Sequence, residues 1–454
     1  MLHLIRRPLL ALGIATGLGV AGLAASQSTE GMGKPNLAAN WGSSSEKALR
    51  PAAPNRSDIP WFQTLVDEAA PGSVLKPPPG NYAGPVLVDK PLIIDGGGKV
   101  TVDGGGKGTV FVIDAKGATL RGVHLKGSGD SHDSDDACLN VRGDHHVIEG
   151  NVIDDCLFGI DLKQANHNVI RENRISSKPF DLGVRGDGLR LWYSSHNLIE
   201  KNEVIDSRDM VAWYANHNTY RGNIGKRSRY SIHFMFAKDS VVEGNSFYDN
   251  AVGVYLMYTE RIHLRNNIIS HATGATGMGL GFKESSDSDV DGNEIIYCAV
   301  GVGSDLSPFE PDTTIRFKNN RFAFNGIAIR FTSELGGNVL TNNIFEGNLT
   351  DVVQMGRGVA DRNQWDGNFF ADYQGFDRNG DGVGDTPYEA NDLVDRLQWR
   401  HPIVKLLMGS PAVEALRILG QQFPVLRVPS VVDPHPAMAP AHPQWSTWRE
   451  HTQR

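Results

Sequence analysis

Two segments that carry histidine and methionine stand one repeat apart: "YSIHFM", Tyr230 to Met235, and "VGVYLM", Val252 to Met257. In each, alternate residues are apolar, Ile232 and Phe234 in the first and Val254 and Leu256 in the second, the period of a strand with one face in a core. That assignment places His233, Met235, Tyr255 and Met257 on the opposite, outer face. Thioether sulfur selects Cu(I) over hard ions, and imidazole suits copper as well. On neighbouring parallel strands, like positions lie about 4.8 Å apart. Two sulfurs on opposite sides of one ion need about 4.6 Å, twice a metal–thiolate bond of about 2.3 Å. Met235 and Met257 with His233 therefore form a candidate three-coordinate Cu(I) set. Met210, close to the same edge, and Met278, which begins the next such strand, are further candidates. The same stripe also reads as a hydrophobic face covered by another element of the chain or by a partner, and the residues leave the two open.

Other groupings have less to offer. His145, His167, His196 and His217 each lie six residues before an asparagine; a column of imidazoles could bind metal, but we read them as stacked turn residues that bond neighbouring backbone. The run "DSHDSDD" crowds Asp130, Asp133, Asp135 and Asp136 beside His132, which suits acid–base work on a carbohydrate or a hard cation. No matching set of Arg, Lys and Asp is evident at one register of the coils that follow, so a solvated loop or cation site is the expectation. "DRNGDGVGD" places Asp377, Asn379, Asp381 and Asp385 at positions 1, 3, 5 and 9 of an EF-hand-like loop with Gly382 at its turn. Position 12, which should supply a bidentate Glu, is Tyr388. Weak structural Ca²⁺ binding or a metal-free Gly/Asp turn is expected there.

These residues must be held by a repeat. An asparagine closes successive segments at Asn151, Asn173, Asn202, Asn223, Asn245, Asn267, Asn293, Asn320 and Asn343, at intervals of 21 to 29 residues. Units this short, built of two-residue-period strands, cannot bury their own apolar faces and must stack. The expected fold is all-β, a right-handed parallel β-helix from about 58 to 370, with Asn at each corner because it tolerates left-handed backbone and can bond to the next Asn. The longest interval predicts an inserted loop, Ser176 to Asp187. "IPWFQTLVDEAAPG" predicts an amphipathic helix capping the open end of the core. Beyond the coils come an Asp/Gly-rich loop over 371–390, then a helical segment and Pro-rich tail over 391–454.

Net charge is −8, with both signs interspersed, which excludes an electrostatic case for nucleic acid. Arg6 and Arg7, an apolar run from Leu9 and small residues near Ala24 lay out a secretory signal peptide over 1–26, followed by a linker over 27–57. An uncleaved anchor is the alternative, since the apolar run of roughly 17 residues sits at the lower limit for a span. Cys138, Cys156 and Cys298 make an odd number for an oxidising compartment. Small buried thiols in the core are expected, with a Cys138–Cys156 bridge as the alternative.

The stretch Gly367 to Met438, above all Asn391 to Met438, together with Trp61 to Gly98 and the coils between, closely resembles the NosD family of periplasmic accessory proteins in nitrous-oxide reductase maturation. The resemblance covers nearly the whole mature chain. It implies a non-enzymatic β-helix subunit on the periplasmic side of an ABC transporter, with a membrane permease and a cytoplasmic ATPase. It further implies receipt of Cu(I) from a membrane-anchored copper chaperone and delivery to apo nitrous-oxide reductase for copper–sulfur cluster assembly, with the segment after Asn391 docking the transporter. The copper ligands rest on the strand argument rather than on the resemblance. Two rival functions are a carbohydrate-active β-helix enzyme using Asp130 to Asp136 and an assembly scaffold that binds no metal.

Overall fold

The computed structural model describes residues 48–441 apart from 57, 333–334, 355–362, 391–393, 395–396, 399–400, 408 and 424–430. The expected signal peptide, most of the linker, and the ends of the Pro-rich tail and helical segment lie outside the described residues. Strands from Val74–Leu75 to Phe369–Phe370 wind as a parallel β-solenoid of three faces. One face is a twelve-stranded parallel sheet running from Val86–Val88 to Thr350–Gln354. The other two faces meet at the asparagine corner, as where Val147–Glu149 turns into Val152–Cys156.

Each coil sends alternate residues inward into one continuous apolar core that includes Leu162, Leu191, Ala212, Phe234, Leu256 and Phe282. The ladder fills the corner: Asn245 Nδ2 donates to Asn267 Oδ1 at 2.9 Å and Asn267 Nδ2 to Asn293 Oδ1 at 2.8 Å, and the pattern continues through Asn343 to Asn368 at 2.9 Å. The ladder asparagines are buried. They do not themselves adopt the left-handed backbone, contrary to expectation: that conformation falls on the residue before each, such as Glu172, Lys201, Gly244, Asn266 and Asn319. The corner thus divides the two tasks, one residue turning the chain and the next satisfying the buried amides of adjacent coils.

The helix Phe62–Glu68 caps the first coil, with Phe62 and Val66 in the core and Gln63 donating to the Leu87 carbonyl at 3.0 Å. The other end is closed by the returning chain. Val431–Asp433 pairs antiparallel with Tyr388–Ala390, and the buried Asp433 accepts from Asn368 Nδ2 at 2.8 Å, so a carboxylate ends the ladder. Tyr388 stacks on Phe370 with centroids 3.7 Å apart. Between these two strands, Pro411–Gln422 is helical, with Ser410 accepting at its N-terminus. Ile403, Leu406, Leu407, Ile418 and Phe423 nearby are exposed. No helix among the described residues is long and apolar enough to cross a membrane.

Cys138 and Cys156 are joined in a disulfide, Cα atoms 5.5 Å apart, and the expectation of stacked thiols fails for this pair. The corner leading from Cys156 into Phe158–Lys163 lies beside Ala137–Arg142, its sheet neighbour, which brings the two sulfurs together. Cys298 is the buried free thiol that was expected, its ionisation pushed up to about 12 by burial.

Candidate functional site

The twelve-stranded face carries the stripe. Register aligns Lys163, Trp192, Trp213, Met235, Met257 and Lys283 in one outward column. The neighbouring outward column runs Asn140, Asp161, Arg190, Val211, His233, Tyr255 and Gly281. His233 reaches across from its column to the next: its Nε2 lies 3.2 Å from Met257 Sδ. Met235 is the register partner of Met257, one rung away. His233, Met235 and Met257 are all half-buried, so the donors are sheltered without being sealed in.

The two further methionines part company. Met210 is not on the stripe: it pairs with Leu189 and lies in the core, 1% exposed. Plain alternation puts it there: Met210 and Ala212 share the inward side of Asp209–Trp213, while Val211 and Trp213 face out. Met278 is outward but pairs with Val252, outside the Met235–Met257 column. A Cβ added at Gly281 would lie 2.2 Å from Tyr255 Cδ2 and 3.1 Å from Met278 Sδ. The Tyr255 ring and the Met278 thioether therefore share the space that the missing side chain leaves, with Tyr255 on the His233 side.

Directly beside these donors stands a row of charges that the sequence expectation denied. Arg190 donates through Nε to Asp161 Oδ1 at 2.8 Å and through Nη2 to Asp161 Oδ2 at 3.1 Å, pairs with Asp135 at 2.9 Å, and lies over the Phe158 ring. Lys163 pairs with Asp135 at 2.7 Å. One coil on, Arg229 clamps the fully buried Asp209, whose Oδ2 faces His233 Nδ1 at 3.5 Å. Burial works to raise the Asp209 carboxyl, but the His233 and Arg229 hydrogen bonds outweigh it and hold the group below its usual range. Asp187 differs: its Oδ1 is buried without a hydrogen-bond partner among the described residues, and burial, then the Asp209 charge, push its titration up to about 7. The row is invisible in sequence because a corner insertion (Ser176 to Asp187) and a bulge intervene; the recurrence of "SR" at Ser207 and Ser228 one coil apart is its trace.

The remaining groupings have structural accounts. His145, His167, His196 and His217 stack with centroids 5.3, 4.9 and 4.7 Å apart, each at positive φ and donating its backbone N–H to the next coil, as His196 does to Asn216 O. The Asp130 to Asp136 run does not converge: Asp130 pairs with Lys178, Asp136 accepts from its own loop at Ser131 N, and His132 Nε2 meets the Val184 carbonyl at 3.0 Å. Together these contacts pin the inserted loop. In the Asp/Gly loop, Asp377 accepts from Gly380 and Gly382 N–H, Asp381 from Val383 N–H and Asp385 from Arg378 N–H, while Asn379 donates to Asp381. The side chains expected to ligate Ca²⁺ fold the turn on itself, and Tyr388 at the twelfth place serves the core. Among the described residues no group of three or more His, Cys, Asp or Glu is arranged to hold a metal ion.

A continuous asparagine-laddered coil defines the class: a right-handed parallel β-helix protein, here with His233, Met235 and Met257 on an outer sheet face. The description "Right handed beta helix region" matches residues 108–224, and "Periplasmic copper-binding protein (NosD)" matches residues 172–375. The chain belongs to the NosD family. It is 32% identical over 395 residues, 79% of this chain and 86% of the other, to a probable ABC transporter binding protein NosD of Pseudomonas aeruginosa. A protein of the same description from Stutzerimonas stutzeri is 44% identical over 126 residues, 27% of this chain and 28% of its own. In fold the chain is similar to the A-module of Azotobacter vinelandii mannuronan C-5 epimerase AlgE6, at TM-score 0.52 and 15% identity, covering 69% of this chain and 94% of that one. It is also similar to the catalytic domain of a GH87 α-1,3-glucanase, at TM-score 0.52 and 11% identity, covering 70% and 69%.

Proposed function

We propose that this chain is a non-enzymatic periplasmic subunit that receives Cu(I) from a membrane-anchored copper chaperone and passes it to apo nitrous-oxide reductase for copper–sulfur cluster assembly. In this reading it works with an ABC permease and its cytoplasmic ATPase. The observation that carries the reading is the convergence of His233 Nε2 on Met257 Sδ, with Met235 in register on the adjoining rung. Two thioethers and one imidazole form a soft, uncharged set that prefers Cu(I) to Zn²⁺ or Ca²⁺. A half-buried outward position favours hand-over to another protein rather than permanent storage. Met278 is a candidate for an entry or exit ligand on the same face. The exposed apolar residues at Ile403, Leu406, Leu407 and Ile418 support a docking role for the C-terminal segment against the transporter.

The test is anaerobic Cu(I) titration against a chromophoric chelator. Met235→Leu with Met257→Leu should keep the fold and abolish stoichiometric Cu(I) binding, because leucine preserves volume and removes sulfur. Unchanged binding refutes the ligand assignment, and an absence of Cu(I) binding by the wild-type chain favours a scaffold.

A further inference from the structure

We propose that Asp209 is a positioning residue for the copper set: its carboxylate fixes the His233 imidazole in the Nδ1–H form and thereby aims the Nε2 lone pair at Met257. The proposal deepens the Cu(I) reading of His233 and Met257 and rests on it.

The argument begins with what each atom can do. An ionised carboxylate only accepts hydrogen bonds, so an imidazole nitrogen facing one carries the hydrogen. Asp209 Oδ2 faces His233 Nδ1 at 3.5 Å. A neutral ring with its proton on Nδ1 presents a bare lone pair at Nε2, and Nε2 lies 3.2 Å from a thioether sulfur that also has only lone pairs to offer. Two electron-pair donors facing each other with no hydrogen between them have no mutual attraction. A soft cation supplies what they lack.

The surroundings hold this arrangement in place. Asp209 is itself immobilised, with Oδ1 accepting from Arg229 Nε at 3.0 Å and from Tyr230 N at 3.2 Å, and Oδ2 accepting from Arg229 Nη2. The His233 ring meets the edge of Tyr230 with centroids 5.1 Å apart and lies beside Tyr255 at 6.1 Å, which opposes a ring flip. Register couples Val211 to His233, and Asp209 lies two residues before Val211 on the same strand, within reach of the ring. A histidine ligand whose second nitrogen is held by a carboxylate is a recurrent way of fixing tautomer and raising ligand basicity, and loss of such a partner typically weakens metal binding about 10- to 100-fold.

The experiment uses the full chain labelled with ¹⁵N-histidine and free of copper, with long-range ¹H–¹⁵N spectra reporting the tautomer of His233 at neutral pH. The wild-type ring should show the proton on Nδ1, and Asp209→Asn should move it toward Nε2 and weaken Cu(I) binding about 10- to 100-fold. A wild-type ring protonated at Nε2 overturns the proposal, and that measurement needs no variant to fold. So does an Asp209→Asn chain with unchanged tautomer and unchanged Cu(I) affinity. Failure of the underlying copper reading is seen separately, as Cu(I) affinity unmoved in Met235→Leu/Met257→Leu.

Discussion

Asp187 offers a sharp test of the charge row beside the stripe, because its environment favours the neutral form. Its Oδ1 has no hydrogen-bond partner among the described residues, burial disfavours the charge, and the neighbouring Asp209 adds repulsion that Arg208, Arg190 and Arg229 only partly offset. The group titrates at about 7 in the folded chain, against about 3.9 for an unperturbed aspartate. The folded chain therefore holds a proton through a window in which the unfolded chain has lost it. Stability should fall as pH rises from about 4 to about 7 and level off above, at a total cost of about 4 kcal/mol. Asp187→Asn removes the titration while keeping shape. It should stabilise the coils around it, and the gain should be about 3 kcal/mol larger at pH 8 than at pH 5. Amide hydrogen exchange across 189–235 at the two pH values measures this locally, without assuming that the whole solenoid unfolds as one unit. A gain that is equal at both pH values, or larger at pH 5, would refute the assignment of a neutral Asp187.

Other expectations follow from single contacts. Asn245→Ala removes donors to Asn267 Oδ1 and the Tyr220 carbonyl and orphans Asn223 N–H, so chemical unfolding should show a loss of about 2–4 kcal/mol. Reducing the Cys138–Cys156 bridge, which spans 18 residues, should lower stability by about 3 kcal/mol, seen as a lower unfolding midpoint in reductant. Gly281→Ala places a methyl group within the Tyr255 ring's space, so the His233 ring resonances should shift while the far-UV spectrum stays unchanged.

What could be read from sequence was whatever recurs at the coil period. The asparagines count coils, and counting back from Asn245 and Asn267 aligns Met235 with Met257 whatever happens in the loops. Features made by departures from the period were hidden. Met210 is the exception, since alternation alone places it inward: it lies three residues before the outward Trp213 and two before the core residue Ala212. The Asp135–Arg190–Asp161 row was missed because the Ser176 to Asp187 insertion separates its members by unequal stretches of chain. Asp433 lies 65 residues from the asparagine it completes, and nothing local marks it as the end of the ladder. The Met235–Met257 pair was legible as a column, while the carboxylate behind His233 needed coordinates.

The closure at Asp433 has a mechanical meaning. The chain leaves the last coil at Ala390 and returns at Val431, and those two residues are partners in one antiparallel pair. The helix Pro411–Gln422 belongs to an excursion with both feet on the same two-stranded foundation. A pull on that excursion draws both strands in the same direction and does not peel one from the other. The load falls on the Asp433–Asn368 bonds and the Tyr388–Phe370 stack, which belong to the last rung itself. A partner gripping the helix would thus hold the solenoid by its end, as a rigid lever whose soft-donor stripe lies several coils away.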